Sequence, residues 1–134
     1  MADNLSIFDI SGRAMSAQLV RLNTTASNLA NAGTVSGSAE TAFRAMKPVF
    51  RTVMGEAGKA TVHVDRIDTS TTAPVKRHEP AHPLADKDGN VWEAAVDSAA
   101  EMVEMLETSR QYQNNVQVLA TAKGLISETL RLGQ

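Results

Sequence analysis

A chain of 134 residues with 43% hydrophobic side chains suffices for one domain, but its one Trp, one Tyr and three Phe leave only a thin core. Thirteen basic and fifteen acidic residues give a net charge of −2 with no long Lys/Arg run, so nucleic acid and anionic membrane surfaces find no electrostatic footprint. Cysteine is absent, which excludes disulfides, zinc–thiolate sites and thiol nucleophiles, and no apolar run approaches the ~20 residues of a membrane span.

The first ten residues lack a basic n-region and an apolar h-region, so no cleavable signal peptide is expected. Residues from about Leu5 to Asn31 predict one helix, free of proline and ending at Asn31-Ala32-Gly33, where Gly33 suits a helix exit. Leu5, Phe8, Gly12, Met15, Leu19, Leu22, Ala26 and Leu29 recur at alternating spacings of three and four, the a/d rhythm of helices packed lengthwise. Asn23, Ser27 and Asn31 form a polar row on the same helix, with Thr24 and Asn28 beside it. Rich in Asn and Thr and nearly free of charge, it suits register-fixing hydrogen bonds between buried helices better than a solvated face.

The small polar stretch from Thr34 to Thr41 predicts a loop. Strands are expected over 43–54 and 59–69, joined by a hairpin turn at Gly55-Glu56-Ala57-Gly58. Val62 and Val64 alternate, and Ile67 breaks the alternation, which predicts a bulge or strand end near Asp65-Arg66. A short strand over 75–79 follows, then a turned path through Pro80 and Pro83, then a tight turn at Asp88-Gly89 leading into Val91-Trp92.

Ser98 to Glu101 reads as a capping box, with Asp97 just before it, opening a helix that runs to about Leu132. Met102, Met105, Ser109, Tyr112, Val116, Leu119, Lys123, Ile126 and Leu130 repeat the a/d rhythm along it. A second stripe, Val118, Ala122, Leu125, Thr129 and Leu132, equips this helix for two neighbours, the N-terminal helix and another that need not come from the same chain. The expected fold class is therefore α+β. An N-terminal helix within 1–33 and a C-terminal helix within 97–134 pack as a coiled coil around a small β-rich module over 34–96.

Chemistry-bearing residues are sparse. His78 and His82 have metal-ligand spacing for a helix, but Pro80 and Pro83 forbid that helix. Asp86, Asp88 and Asn90 resemble the start of a calcium loop, yet Val91 and Asp97 stand where Gly and Glu are needed, and a turn explains them better. Glu101, Glu104 and Glu107 read as a solvated helix face, with Glu107 able to pair with Arg110. No catalytic residue, cofactor or metal is expected.

The run from Ala26 to Thr34 resembles the signature of the bacterial flagellar basal-body rod protein family. Three stretches strengthen the likeness: Phe43-Arg44-Ala45 leading to Phe50; Glu79 to Asp86 with Asp88 to Val91; and Ser109 to Val116 running on to Gln134. Phe43 stands where the commoner family form has Tyr, and the stretch from Gly55 to Val75 matches least. The resemblance implies an axial building block of the rod, the drive shaft between a membrane-embedded ring and the hook. It implies partners too: other rod proteins, the adaptor to that ring, copies of the same chain, and the flagellar export apparatus, which passes its cargo unfolded. On this reading Leu5, Phe8, Met15, Leu19, Leu22, Ala26, Asn28, Leu29 and Asn31 form the assembly interface with Met105, Tyr112, Val116, Leu119, Leu125, Ile126 and Leu130. The rival expectation is a helical-hairpin adaptor for a soluble partner. A marginal, thinly apolar helix pair is expected to complete its folding only on assembly.

Overall fold

The computed structural model describes residues 6–55 and 58–133, so Leu5 and the Glu56-Ala57 part of the predicted hairpin turn lie outside it. Among the described residues the order is α1 (Ile7–Asn31), β1 (Val35–Ser36), β2 (Met46–Met54), β3 (Ala60–Thr69), β4 (Val75–His78), β5 (Asn90–Glu93) and α2 (Ser98–Leu132). The architecture is α+β, with both long helices at the ends and the strands between them, as expected.

Helix α1 starts where Ser6 and Asp9 cap each other. The Ser6 hydroxyl accepts from the Asp9 backbone N–H, and the Asp9 carboxylate accepts from the Ser6 backbone N–H at 2.9 Å. The Ser6 side-chain bond, followed by its backbone bond, holds the Asp9 carboxyl below the usual carboxylate range. At the other end Gly33 takes φ +76°, a conformation open to glycine at little cost, and the chain turns away from the helix.

The cap of α2 differs from expectation. Asp97, not Ser98, occupies the N-cap, and its carboxylate accepts from the backbone N–H groups of Ala99 (3.0 Å) and Ala100 (3.1 Å). A charged acceptor at the positive end of a long helix outcompetes a hydroxyl one residue later. Asp97→Ala is expected to destabilise the chain by ~1 kcal/mol, and Ser98→Ala by only a few tenths. Urea unfolding of the two variants checks this; equal midpoints would reassign the cap.

Strands β2 and β3 form a two-stranded antiparallel hairpin. Val49 pairs with Arg66 and Phe50 with Val64, which leaves Asp65 as the extra residue of a bulge at the predicted place. Strand β2 begins at Met46 rather than Phe43. The remaining strands make a small antiparallel sheet in the order β1-β5-β4. Strand β1 corrects the predicted loop: Val35 and Ser36 pair with Glu93 and Trp92. Gly89 closes the turn into β5 at φ +74°, where a Cβ would meet His78 and Pro80 at 3.1 Å. The buried apolar side chains are small, Val91 and five alanines (Ala17, Ala42, Ala45, Ala94 and Ala122), which is the thin core that the composition implied.

Candidate assembly surface

The two helices run antiparallel, as three side-chain contacts establish. Asn28 Nδ2 donates to Glu101 Oε2 (3.2 Å), Arg21 pairs with Glu104, and Gln18 Nε2 donates to Gln111 Oε1 (2.9 Å). Polar side chains therefore join α1 to α2 within one chain alongside the expected apolar seam. Glu101 and Glu104 also leave the solvated face assigned to them. Glu101 is buried at 8% exposure, and Glu104 spends its charge on Arg21. Glu107 accepts from Gln111 rather than pairing with Arg110.

The contact and the apolar stripe share half their residues. Met15, Leu22 and Leu29 on α1, with Met105, Tyr112 and Leu119 on α2, are all half-buried. At alternate positions the residue turned inward is one earlier than the stripe requires. Ser11 and Thr25 are buried where Gly12 and Ala26 are exposed; Gln18 is half-buried where Leu19 is exposed. On α2 Glu101, Thr108 and Ala122 are buried where Met102 and Lys123 are exposed, and Asn115 is half-buried beside exposed Val116.

One residue along a helix is a rotation of ~100°. In antiparallel neighbours the same forward step turns both stripes to the same side of the pair. Leu19 and Ala26 thus share a flank with Met102, Val116 and Leu130. The large apolar members remain well exposed: Leu19 46%, Met102 54%, Leu130 67%. Leu125 is exposed too, beside Ile7, Val118 and Ala122 in an apolar groove where α1 begins. Beyond that groove, among the described residues, α2 outreaches α1, with 35 residues against 25. Exposed apolar surface in continuous stripes marks an interaction surface rather than the scatter found on any monomer.

The hairpin lies on the opposite side. It packs on the row one step back, where Ala17 and Thr24 are buried. At its root the side-chain amide of Asn28 pairs with Met46 as a neighbouring strand would. Oδ1 accepts from the Met46 N–H and Nδ2 donates to the Met46 carbonyl, both at 2.8 Å. Asn28 is 1% exposed and joins α1, β2 and α2 through one side chain. Of the predicted polar rows, Thr24 and Asn28 are thus the buried one. Asn23 is exposed, and Asn31 bonds back to the Ser27 carbonyl at 2.8 Å.

The residues weighed for metal chemistry serve the backbone. Asp86 accepts from the N–H groups of Asn90 (2.8 Å) and Asp88 (2.9 Å), and the Asn90 bond above all holds its carboxyl below the usual range. His82 Nδ1 accepts from the Leu84 N–H, and His78 lies 3.4 Å from the Asn90 side chain. Among the described residues no three His, Asp or Glu side chains cluster to hold a metal, and no helix is long and apolar enough to cross a membrane.

Comparison with known proteins agrees with this architecture. A family model for flagella basal body rod proteins matches residues 8–37, and one for the C-terminal part of flagellar basal body rod FlgEFG proteins matches residues 87–132. The chain is 47% identical over 132 residues to the flagellar basal-body rod protein FlgC of Escherichia coli O157:H7, covering 97% of this chain and 98% of the relative. Identity to the FlgC of Salmonella typhimurium is 45% over the same coverage. The FlgC of Aquifex aeolicus is 32% identical, with 96% of each chain covered.

Proposed function

Since this chain belongs to the flagellar basal-body rod protein family and is FlgC-like over nearly its full length, we propose that its exposed helix flank is the surface by which it builds the rod. It is a structural subunit of that rod and not an enzyme. The observation that carries the assembly reading is the displaced stripe. A single chain joins α1 to α2 through amides, an ion pair and half of the apolar stripe, and leaves Leu19, Met102, Val116 and Leu130 exposed.

Copies of the chain and other rod proteins cover that flank and the free end of α2. A coiled-coil contact then forms between subunits, using the a/d rhythm that one chain leaves unused. Contacts of this kind join different patches and do not close, so they extend into a helical stack. The stack transmits torque by packing alone. The adaptor to the membrane-embedded ring is the partner at its base. The export apparatus receives a chain whose distal helix ends hold little structure to undo.

Amide exchange on the free chain and on purified basal bodies tests this reading. In the free chain, protection should be greatest over 20–31 and 98–108, where Asn28 and Arg21 clamp the helices. It should be weakest over 115–132, where α2 has few partners. In basal bodies residues 115–132 should become strongly protected. Absence of the chain from purified rods, or equal protection of 115–132 in both states, contradicts the proposal.

A further inference from the structure

We infer that the β2–β3 hairpin is a strap, pinned to the helix pair at its root by Asn28 and latched near its tip by Arg13. The two attachments stand far apart on the same helix. Arg13 to Asn28 spans about 22 Å of α1 at ~1.5 Å per residue. Met46 to Val53, which pairs with Thr61, spans about 23 Å of strand at ~3.3 Å per residue. The hairpin therefore lies lengthwise on α1 and meets it at both ends.

The two ends are built differently. At the root the buried Asn28 amide satisfies both backbone groups of half-buried Met46, and the Ser70 N–H donates to the Ala45 carbonyl at 2.7 Å just beyond it. Such shielded, fully paired groups resist separation, since parting them leaves buried donors and acceptors unmet. Near the tip a guanidinium of α1 reaches the hairpin. Arg13 Nη1 lies 3.0 Å from His63 Nε2 and 3.4 Å from Thr61 Oγ1, and His63 is exposed. Water replaces the exposed His63 contact at little cost, while Thr61, 3% exposed, keeps its own bond to the Val53 carbonyl.

Between pin and latch the packing is incomplete. A cleft of about 270 Å³ runs under the strap, lined by Arg13, Ser16, Ala17, Val20, Val62 and His63 among others. Its walls mix small Ser16 and Ala17 with Val20, Val62 and Val64, so lifting the tip exposes three valines and no larger apolar side chain of the cleft. Arg13 thus sets the tilt of the hairpin against the helices, and Asn28 sets where it is anchored. Arg13 is a positioning residue in this sense. The inference concerns the free chain and does not depend on the rod reading.

The absence of cysteine allows clean double spin labelling of the full-length chain. One label pair, Asn23→Cys with Met54→Cys, reports the tip; another, Asn23→Cys with Lys47→Cys, reports the root. In the parent both pairs should give narrow distance distributions by pulsed dipolar spectroscopy. Arg13→Ala should shift the tip pair to longer separations and leave the root pair unchanged. Removing Arg13 leaves Thr61 Oγ1 its bond to the Val53 carbonyl, so no buried group is orphaned. Asn28→Ala should broaden the root pair, and Asn28→Ser serves if that chain does not fold. An unchanged tip pair in Arg13→Ala overturns the latch. Equal movement of the tip and root pairs in that variant overturns the pin. Neither result follows from a general loss of stability, which would broaden every pair.

Discussion

Leu125→Asp and Leu130→Asp chains should fold as the parent does and build no rod. Both leucines are about two-thirds exposed in the single chain, at 65% and 67%, so a carboxylate there stays in water and shifts the unfolding midpoint by no more than ~0.5 kcal/mol. Assembly changes the account. A neighbour seated on the stripe would bury that carboxylate without a partner, at a cost of several kcal/mol for each contact. A stack repeats the defect in every copy, so no residual assembly is expected. Swimming should be lost while the cells contain normal amounts of the chain. Leu119→Asp gives the contrast. Leu119 is half-buried against α1, so its variant should lose stability as well as assembly. Normal motility with Leu130→Asp would remove the flank from the assembly surface, and normal motility with Leu125→Asp would remove the groove.

Asn28→Asp should be among the most damaging single-atom-scale changes the chain admits. The substitution keeps an oxygen for the Met46 N–H and deletes the donors to the Met46 carbonyl and to Glu101. It also sets a carboxylate beside that of buried Glu101, where water cannot screen the pair. Leaving a buried acceptor unmet costs ~1–3 kcal/mol, and an uncompensated buried charge ~3–5 kcal/mol. A loss of ~4 kcal/mol or more would consume much of the ~5–15 kcal/mol that holds a typical domain folded. Asn23→Asp, on the exposed row of the same helix, should change stability by no more than ~0.5 kcal/mol. Urea unfolding of both variants reads the difference, and similar midpoints would show that Asn28 is not the joint.

The parts legible in the sequence were those with a local cause. Proline-free a/d runs marked both long helices. The slip at Ile67 marked the bulge, and Asp88-Gly89 marked the turn into β5. Strand β1 had no such cause: two residues show no periodicity, and Val35 and Ser36 become a strand only because β5 lies beside them. The start of β2 was misplaced because Met46 is fixed by Asn28, eighteen residues away. On α2 the charged cap displaced the hydroxyl cap that the box pattern named. The helix contact was half legible. Apolar rhythm finds Met105, Tyr112 and Leu119, which both surfaces share. It cannot find Glu101, Gln111 or Arg21, whose inward turn depends on a polar partner on the other helix. The polar row on α1 was the signal that pointed there, and its meaning emerged once Asn28 was seen to bridge three elements.

The bulge at Asp65 bears on how the protein polymerises. A two-stranded hairpin has open edges, and subunits concentrated at a growing tip are well placed to pair them indiscriminately. Here the extra residue coils the edge and interrupts its hydrogen-bonding rhythm. Arg51, Asp65, Arg66 and Asp68 add charges in mutual contact, with Asp65 in an ion pair with Arg51 at 3.4 Å and accepting from Arg66 at 3.1 Å. An incoming strand would have to flatten the coil and disturb those pairs. Sideways growth into sheets is disfavoured, which suits elongation through the proposed helix flank, along a single axis.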